Sequence, residues 1–251
     1  VFGDGSSDVC SSDLPATAAC FITWGYSGIH GHADKLGFQL AVGKRRWLAD
    51  AEATSPGHSF SSDVQGQFNR TSLPHSLVTV DHKPQRGLRD NLTVVELDEA
   101  RRRLVLRDEG ALYEGVTQQR AFQLGATVLT DLYELSADTD HTFEYQLVFW
   151  PGTEITLPMP LSPAPPIKAG VEYSWLRDLA SAPLPAGTLS FEAKQEEASL
   201  KVEIEAPEGA EVLFGSLPRT QDWQAPHFTI ILIRYSGTSA TFIARFYWGE
   251  E

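Results

Sequence analysis

Four residues in the first third of the sequence are of types that bind metal ions. They are His30 and His32 in a His-Gly-His tripeptide, Asp50 after an apolar run, and His75 before another. Side chains two residues apart point the same way in an extended segment, so His30 and His32 would share a face. Two imidazoles and a carboxylate are a common ligand set for Zn²⁺, with water or substrate in the remaining position. The residue types suit a zinc site, although each also occurs as an ordinary surface group.

The position of Asp50 raises a geometric question. Gly43-Lys44 has the form of a two-residue hairpin turn, which would set Asp50 opposite Gly37. At roughly 3.4 Å per residue, a straight ladder leaves Asp50 about 17 Å from His32. A bulge, a bend or a longer turn is needed to bring them together. Asp34 shares a face with His32, so it is either a rival ligand or a hydrogen-bonding partner of the ligands.

The elements that must position these residues are short strands. Apolar or alternating runs are separated by turn residues, and there is almost no periodicity of 3.6 residues. The pattern predicts an all-β fold, a large antiparallel sandwich or a barrel. The predicted strands lie at 18–26, 36–42, 45–51, 76–81, 92–98, 103–108, 117–124, 126–135, 142–150, 188–194, 199–206, 211–217, 228–236 and 240–248.

Two stretches have the composition of loops. Residues 53–68 contain Gly, Ser, Pro and Asp without periodicity, and a loop between candidate ligands is a natural place for substrate contacts. Residues 151–185 are rich in proline, which cannot donate a hydrogen bond to a ladder. We expect loops or edge crossings there.

Bulk composition excludes several classes of protein. At 251 residues and 42% hydrophobic content the chain can bury a sizeable core. No run approaches the roughly 20 apolar residues of a membrane span. The net charge of −13 argues against a nucleic-acid partner; it also suits an anionic sugar poorly, unless arginines line a cleft locally. Composition leaves the oligomeric state open.

The first 14 residues, VFGDGSSDVCSSDL, look foreign to the domain. They lack the apolar segment of a signal peptide and resemble the translation of a sequencing adapter. We therefore expect a non-native tail over residues 1–14, one domain over 15–251, and further native sequence upstream. Cys10 and Cys20 provide no disulfide framework, and Cys20 is expected to be buried and inert.

The motifs together resemble a known family. HGHADKLGF at 30–38, LAD at 48–50 and SLPHSLVTVD at 72–81 are similar to the C-terminal part of the heparinase II/III-like polysaccharide lyases. The residues of the first motif resemble those of the oligoalginate lyases more closely than those of heparinase II. A second stretch, 112–152, also resembles the family. The resemblance implies a large β-sandwich, which in these lyases follows a helical toroid domain that this sequence does not contain.

The resemblance also implies a function and a site. The enzyme would be a carbon–oxygen lyase that cleaves a uronic-acid polysaccharide by β-elimination, with alginate or oligoalginate first and a heparin-like or heparan-like glycosaminoglycan second. His30 inherits a catalytic role. His32, Asp50 and His75 would hold a largely structural zinc ion near the active site, with Asp34 as a partner of the ligands.

β-Elimination has three chemical requirements: neutralisation of the uronate carboxylate, a base for the C5 proton, and an acid for the leaving oxygen. Arg70 is the best candidate for the carboxylate, because a guanidinium binds it bidentately; an ordinary solvated arginine is the alternative. In the family, the catalytic tyrosine belongs to the helical domain. We therefore expect this chain to be inactive alone, and the full protein to be bacterial and periplasmic or secreted.

The sequence departs from the family pattern at two places. His75 is followed by Ser76-Leu77 where the family has Asn-Thr, which removes a polar side chain. Phe149-Trp150 replaces an expected histidine. His141 matches a family position, but we interpret it as a structural hydrogen-bonding residue. Five other arginines are expected to be solvated turn residues: Arg45, Arg46, Arg101, Arg102 and Arg103.

Two alternatives differ in class. A cupin-type metal enzyme also has a His-x-His pair, but it needs a Glu shortly after, where this sequence has Lys35 to Phe38. A non-catalytic carbohydrate-binding sandwich would display surface aromatics. Trp47 and Trp150 lie in apolar runs and are expected in the core, which weakens that alternative.

Overall fold

The computed structural model describes residues 2–3, 17–24, 31–54, 62–86 and 92–249, and these form an all-β fold. Every strand pairing is antiparallel except that of β1 with β2, which confirms the predicted fold class. The strands are β1 (Phe2–Gly3), β2 (Ala18–Ile22), β3 (Phe38–Val42), β4 (Arg45–Leu48), β5 (Val78–Val80), β6 (Leu92–Asp98), β7 (Arg103–Asp108), β8 (Val116–Leu124), β9 (Val128–Phe149), β10 (Glu154–Thr156), β11 (Ser162–Pro163), β12 (Arg177–Leu184), β13 (Thr188–Gln195), β14 (Ala198–Glu205), β15 (Ala210–Leu217) and β16 (Phe228–Tyr247).

Two long strands organise the fold. β9 has 22 residues and β16 has 20, and they pair along their lengths. The sequence predicted a break in each, at the polar stretches 136–141 and 237–239, and this was wrong. Both stretches remain in strand: His141 pairs with Gly237 and Ser136 pairs with Ser239. Between these pairs β9 has four residues and β16 has one, so the register shifts there.

The long strands pass through two layers. In one layer the strand order is β6-β7-β8-β9-β16-β14-β13-β10, with the N-terminal half of β9 and the C-terminal half of β16. In the other, the second half of β9 pairs with β4, β5 and the first half of β16, and β15, β12 and β11 follow. β3 and β2 extend this layer beyond β4. The arrangement is a β-sandwich.

The inward faces of both layers form the main hydrophobic core. It contains Phe122 and Phe246 from one layer and Phe38 and Tyr145 from the other, all buried. Cys20 also lies there, so its predicted burial is confirmed, and burial raises the pKa of its thiol well above the usual value. No helix among the described residues is long and apolar enough to cross a membrane.

A second apolar cluster covers the outer face of the layer that carries β5. It packs Phe68 and Tyr173 against Val148 and Ile230. Phe68 belongs to a π-helical turn, Gln65–Asn69, inside the stretch predicted to be only a loop, and Tyr173 belongs to a 3₁₀ turn, Val171–Trp175. Aromatic burial explains why short helical turns form in these polar connections.

The proline-rich stretch contains more strand than predicted. β12 includes Pro183, which pairs with Glu211 of β15. On its other side, β12 pairs with β11 only at Ala180 and Ser181. Pro183 therefore lies where one side of the strand is unpaired, which is the kind of position in which a sheet tolerates proline.

Only Phe2 and Gly3 are described among the first 14 residues, and they pair with β2. The prediction of a non-native tail over 1–14 stays a prediction, as does the single domain over 15–251.

Candidate metal centre

Three predicted residues converge on one point of the fold. Each of His32, Asp34 and His75 offers one ligand atom, and these atoms lie within 4.8 Å of one another. The two imidazole rings are 5.4 Å apart between centroids. His75 is buried and His32 is half-buried. A cluster of two imidazoles and a carboxylate therefore exists where the sequence placed a metal site.

Asp50 also reaches this cluster. Its Oδ1 lies 3.0 Å from Nδ1 of His75, and its Oδ2 accepts a 3.0 Å hydrogen bond from Gln39. The β3–β4 hairpin allows this because its register shifts by one residue: Leu40 pairs with Leu48, whereas Ala41 pairs with Arg46. The straight ladder is thus replaced by a bulge, one of the three routes the sequence required.

After the bulge, the chain leaves β3 and crosses to other neighbours. The N–H of Ala49 donates to Val148 and that of Ala51 donates to Pro74. These two bonds place Asp50 directly beside the segment that carries His75. Both carboxylates thus surround the histidines. The assignment of Asp50 as ligand and Asp34 as its partner stays a prediction.

A tight turn presents Asp34. The N–H of Gly37 donates to the carbonyl of Asp34 at 2.8 Å, and Leu36 has a positive φ of 61°. A Cβ atom at Gly37 would lie only 2.6 Å from that carbonyl oxygen. Glycine is therefore needed at position 37 for close backbone approach, not for a left-handed conformation.

The turn is bound to the His75 segment by buried polar side chains. Ser72 Oγ donates to the carbonyl of Ala33 at 2.7 Å and accepts from the N–H of Gln85. The Gln85 side chain both accepts from the N–H of Lys35 and donates to its carbonyl. The segments that carry His32, Asp34 and His75 are thereby held together without a metal ion.

Arg120 of β8 supports the same segments from the opposite layer. Its guanidinium binds both carboxylate oxygens of Asp131, and its Nη1 donates to the carbonyls of Leu36 and Ser76. Those carbonyls lie two residues after Asp34 and one after His75. The pKa of Arg120 is raised: burial alone would lower it, but the neighbouring Asp131 carboxylate outweighs burial.

Sequence reasoning did not assign Arg120 a role. The available signal was an arginine at an inward position of an alternating strand, since Gln118, Arg120 and Phe122 all face the core. Such a residue needs a buried partner, but the sequence does not say which.

Electrostatics differ between the two histidines. Burial and the neighbouring His75 lower the pKa of His32, which favours the neutral imidazole that binds metals. Burial by itself lowers the pKa of His75, but Asp50 outweighs it, so that pKa is raised. Asp50 therefore stabilises positive charge at His75, whether a proton or a metal ion supplies it.

The donor set fits a zinc ion. Within the described residues, Nε2 of His75 makes no hydrogen bond, and its Nδ1 has only the Asp50 carboxylate, at 3.0 Å; Oδ1 of Asp34 makes no hydrogen bond either, with only Lys35 Nζ at 3.6 Å. Buried polar atoms without hydrogen bonds are rare and require an explanation. Two imidazoles with one or two carboxylates are characteristic ligands of Zn²⁺.

Two other predicted site residues have different outcomes. His30 lies outside the described residues, so its catalytic role stays a prediction. Arg70 is half-buried after the π-helical turn, and its Nε donates to the carbonyl of Gly31 at 3.3 Å. Arg70 thus lies beside the His-Gly-His segment, and its carboxylate-binding role stays a prediction.

Of the remaining sequence predictions, those for His141 and Trp47 are confirmed, whereas Trp150 is less buried than expected. His141 makes structural hydrogen bonds, as expected: its Nδ1 lies 2.9 Å from Asp81 and its Nε2 lies 3.3 Å from the Thr139 hydroxyl. Trp47 is buried, as predicted. Trp150 is only half-buried, and the guanidinium of Arg46 lies 5.4 Å from its ring centroid. Arg45 pairs with Glu196.

The comparison with protein families identifies the chain. Residues 21–204 match the model of the family described as heparinase II/III-like, C-terminal, and the chain belongs to this family. No curated protein sequence matches it.

Solved structures share the fold. A heparinase III gene product with methylated lysines has a TM-score of 0.67 at 13% identity, over 92% of this chain and 32% of that one. A heparan sulfate lyase, HepC from Pedobacter heparinus, has a TM-score of 0.58 at 10% identity, over 90% and 32%. The chain therefore spans about a third of the length of these structures.

Proposed function

We propose that this chain is the zinc-binding β-sandwich domain of a polysaccharide lyase, which cleaves a uronic-acid polysaccharide by β-elimination. The observation that carries the proposal is the convergence of His32, Asp34 and His75, with Asp50 beside them. Membership of the heparinase II/III-like family supports the lyase class.

The substrate class is proposed at a finer level from two observations. Alginate or oligoalginate is favoured by the sequence motif at 30–37, His-Gly-His-Ala-Asp-Lys-Leu-Gly, which resembles the oligoalginate lyases. The two similar structures are named heparinase III and heparan sulfate lyase, which keeps heparan-like glycosaminoglycans as the second choice. Both classes contain uronic acids, so the same elimination chemistry applies.

The residues of this chain would contribute positioning and charge. Bound zinc would supply positive charge beside the His32 and His75 segments, which hydrogen bonds already hold together. Arg70, bonded to Gly31, would neutralise the uronate carboxylate, which makes the C5 proton more acidic. His30, one residue before Gly31, would accept or donate a proton.

The remaining catalytic groups would come from outside this chain. We propose that the isolated chain is inactive and that the full protein acts in the bacterial periplasm or outside the cell. Incubation with oligoalginate or heparan sulfate should give no unsaturated uronate product. Product formed by the purified chain, and absent from a His30→Ala variant, would contradict this part of the proposal.

Metal content is the direct test of the centre. We expect the purified chain to bind about one zinc ion, and His75→Ala to bind none, because His75 lies between both carboxylates. Asp34→Ala and Asp50→Ala distinguish the ligand from its partner, since loss of a ligand should reduce zinc content more.

His141→Ala is the matched control, because His141 also pairs with an aspartate but lies outside the cluster. Zinc should be retained in that variant. A wild-type chain that binds no zinc from a metal-supplemented buffer would overturn the metal centre.

A further inference from the structure

Two arginines outside the metal centre are held differently from most others. Eight arginines of the described residues pair with carboxylates. Arg177 of β12 instead lies over the ring of Trp223, with its Cζ 4.0 Å from the ring centroid. Arg46 lies over Trp150. Neither makes an ion pair within the part of the chain that the structure describes, although the net charge is −13.

Several contacts hold Trp223 within the loop before β16. Trp223 has a positive φ of 61°, and its N–H donates to the carbonyl of Thr220. Its own carbonyl lies 2.9 Å from Nε2 of His227, whose ring contacts the indole edge at a centroid distance of 5.2 Å. The nearby Asp222 carboxylate accepts from Gln224, which directs it into its own loop.

This arrangement presents a prepared anion-binding group. Arg177 is exposed, while Trp223 is half-buried beneath it. A guanidinium stacked on an aromatic ring has already lost much of its rotational freedom, and its N–H edges remain available to a bidentate acceptor. The stacking therefore positions Arg177 rather than using up its hydrogen-bonding capacity.

The second arginine is connected to the first through two ring contacts and the chain between them. Trp150 packs edge-on against Phe228 at 6.0 Å. Phe228 is buried and follows His227, the ring partner of Trp223, in the chain. The resulting strip, in order, consists of Arg46, Trp150, Phe228, His227, Trp223 and Arg177. It carries a cation at each end, a pattern that suits a ligand with repeated negative groups.

Backbone hydrogen bonds connect the loop that carries Trp223 to the segment that follows Asp50. Thr54 forms a parallel bridge with Thr220; its N–H donates to Arg219 and its carbonyl accepts from Gln221. Thr54 lies four residues after Asp50. The loop that carries Trp223 is therefore continuous, through backbone hydrogen bonds, with the segment that carries a candidate ligand.

We propose that this strip is an accessory binding site for an acidic oligosaccharide, with Arg177 on Trp223 as its principal anion-binding group and Arg46 on Trp150 as the second. The shared chemistry is a carboxylate or sulfate group on the sugar. The proposal rests on the proposed function, since it takes the substrate of the lyase to be the ligand, but it concerns a surface separate from the metal cluster.

Binding measurements on the 251-residue chain test the proposal. The probes are oligoalginate, which carries carboxylates only, a heparan sulfate oligosaccharide, which carries both anions, and a neutral malto-oligosaccharide. Arg177→Ala should weaken binding of an acidic probe about tenfold, the range of a charge-assisted hydrogen bond. Trp223→Ala should weaken it in the same direction, because the guanidinium loses its support.

Arg107→Ala is the matched control, since Arg107 is also exposed but pairs with Glu109 in the other layer. It should leave the affinity unchanged. Zinc content and urea unfolding should match wild type in all three variants, which shows that the fold and the metal centre are intact. A loss for both acidic probes would identify carboxylate, the group that they share, and a loss confined to heparan sulfate would identify sulfate.

Three results would overturn the inference. They are equal affinity of Arg177→Ala and wild type for the acidic probes, equal weakening for the neutral probe, and no binding of acidic probes by wild type. Zinc content tests the proposed function separately. If the chain binds zinc but the strip does not bind acidic sugars, only the accessory site is wrong.

Discussion

At the scale of single residues, the buried ion pair of Arg120 and Asp131 connects the core to the metal centre. Both side chains are fully buried, and the guanidinium also satisfies two carbonyls beside the candidate ligands. We expect Arg120→Met to lower the free energy of unfolding by about 3–5 kcal/mol, because Asp131 would remain as an uncompensated buried charge. Zinc content should fall with it. Urea unfolding and metal analysis provide the measurements.

A matched variant separates the buried pair from an ordinary one. Arg107→Met on the neighbouring strand removes an exposed pair with Glu109 and should cost at most about 1 kcal/mol. If Arg120→Met were equally mild, the link between the core and the metal centre would be wrong.

At the scale of elements, the turn from Asp34 to Gly37, directly before β3, decides where Asp34 lies. In Gly37→Ala, the new methyl group would meet the carbonyl oxygen of Asp34 at 2.6 Å. The turn must open, so we expect a loss of about 1–3 kcal/mol in unfolding free energy together with a lower affinity for zinc. Gly66→Ala in the π-helical turn is the control, because no atom lies within 4 Å of the added methyl group. Unchanged zinc affinity in Gly37→Ala would show that the turn does not position the ligand.

At the scale of the whole molecule, Glu144 joins distant parts of one layer. Its carboxylate accepts from Tyr173 at 2.5 Å and from Arg234 at 2.7 Å, and it lies 2.9 Å from Nδ1 of His82. Arg234 also pairs with Glu211. Burial alone would raise the pKa of Glu144, but His82, Arg234 and Tyr173 outweigh it, so that the pKa is lowered.

The sign of the pH dependence follows from this lowered pKa. The stabilisation by Glu144 is fully present above the unfolded-state pKa of about 4.3 and is lost as the pH falls through the lower folded-state pKa. Glu144→Gln should therefore be less stable by about 2 kcal/mol near pH 7, with a smaller difference in acid. Urea unfolding across this range is the measurement, with the exposed Glu109→Gln as control. A difference that stays constant into acid would exclude titration of Glu144 as its source.

The sequence by itself determined the fold class and named the residues of the candidate metal cluster. Alternating strands without helical periodicity specify an all-β core, because each face of a strand must be either apolar or polar. The residue types of His32, Asp50 and His75, with Asp34 as a rival ligand, predicted metal binding, because few residue types can bind a metal. These are local properties of the chain, which neighbouring residues are sufficient to express.

Only the tertiary structure decided how those residues meet. The bulge in the β3–β4 hairpin brought Asp50 to His75, and its position depends on bonds from Ala49 and Ala51 to segments about 100 and 23 residues away. The continuity of β9 and β16 depends on their pairing with each other, so polar stretches that look like turns remain extended. The partners of Arg120 and the stacking of Arg177 on Trp223 likewise join residues far apart in sequence. Long-range packing, which no local pattern encodes, fixes these contacts.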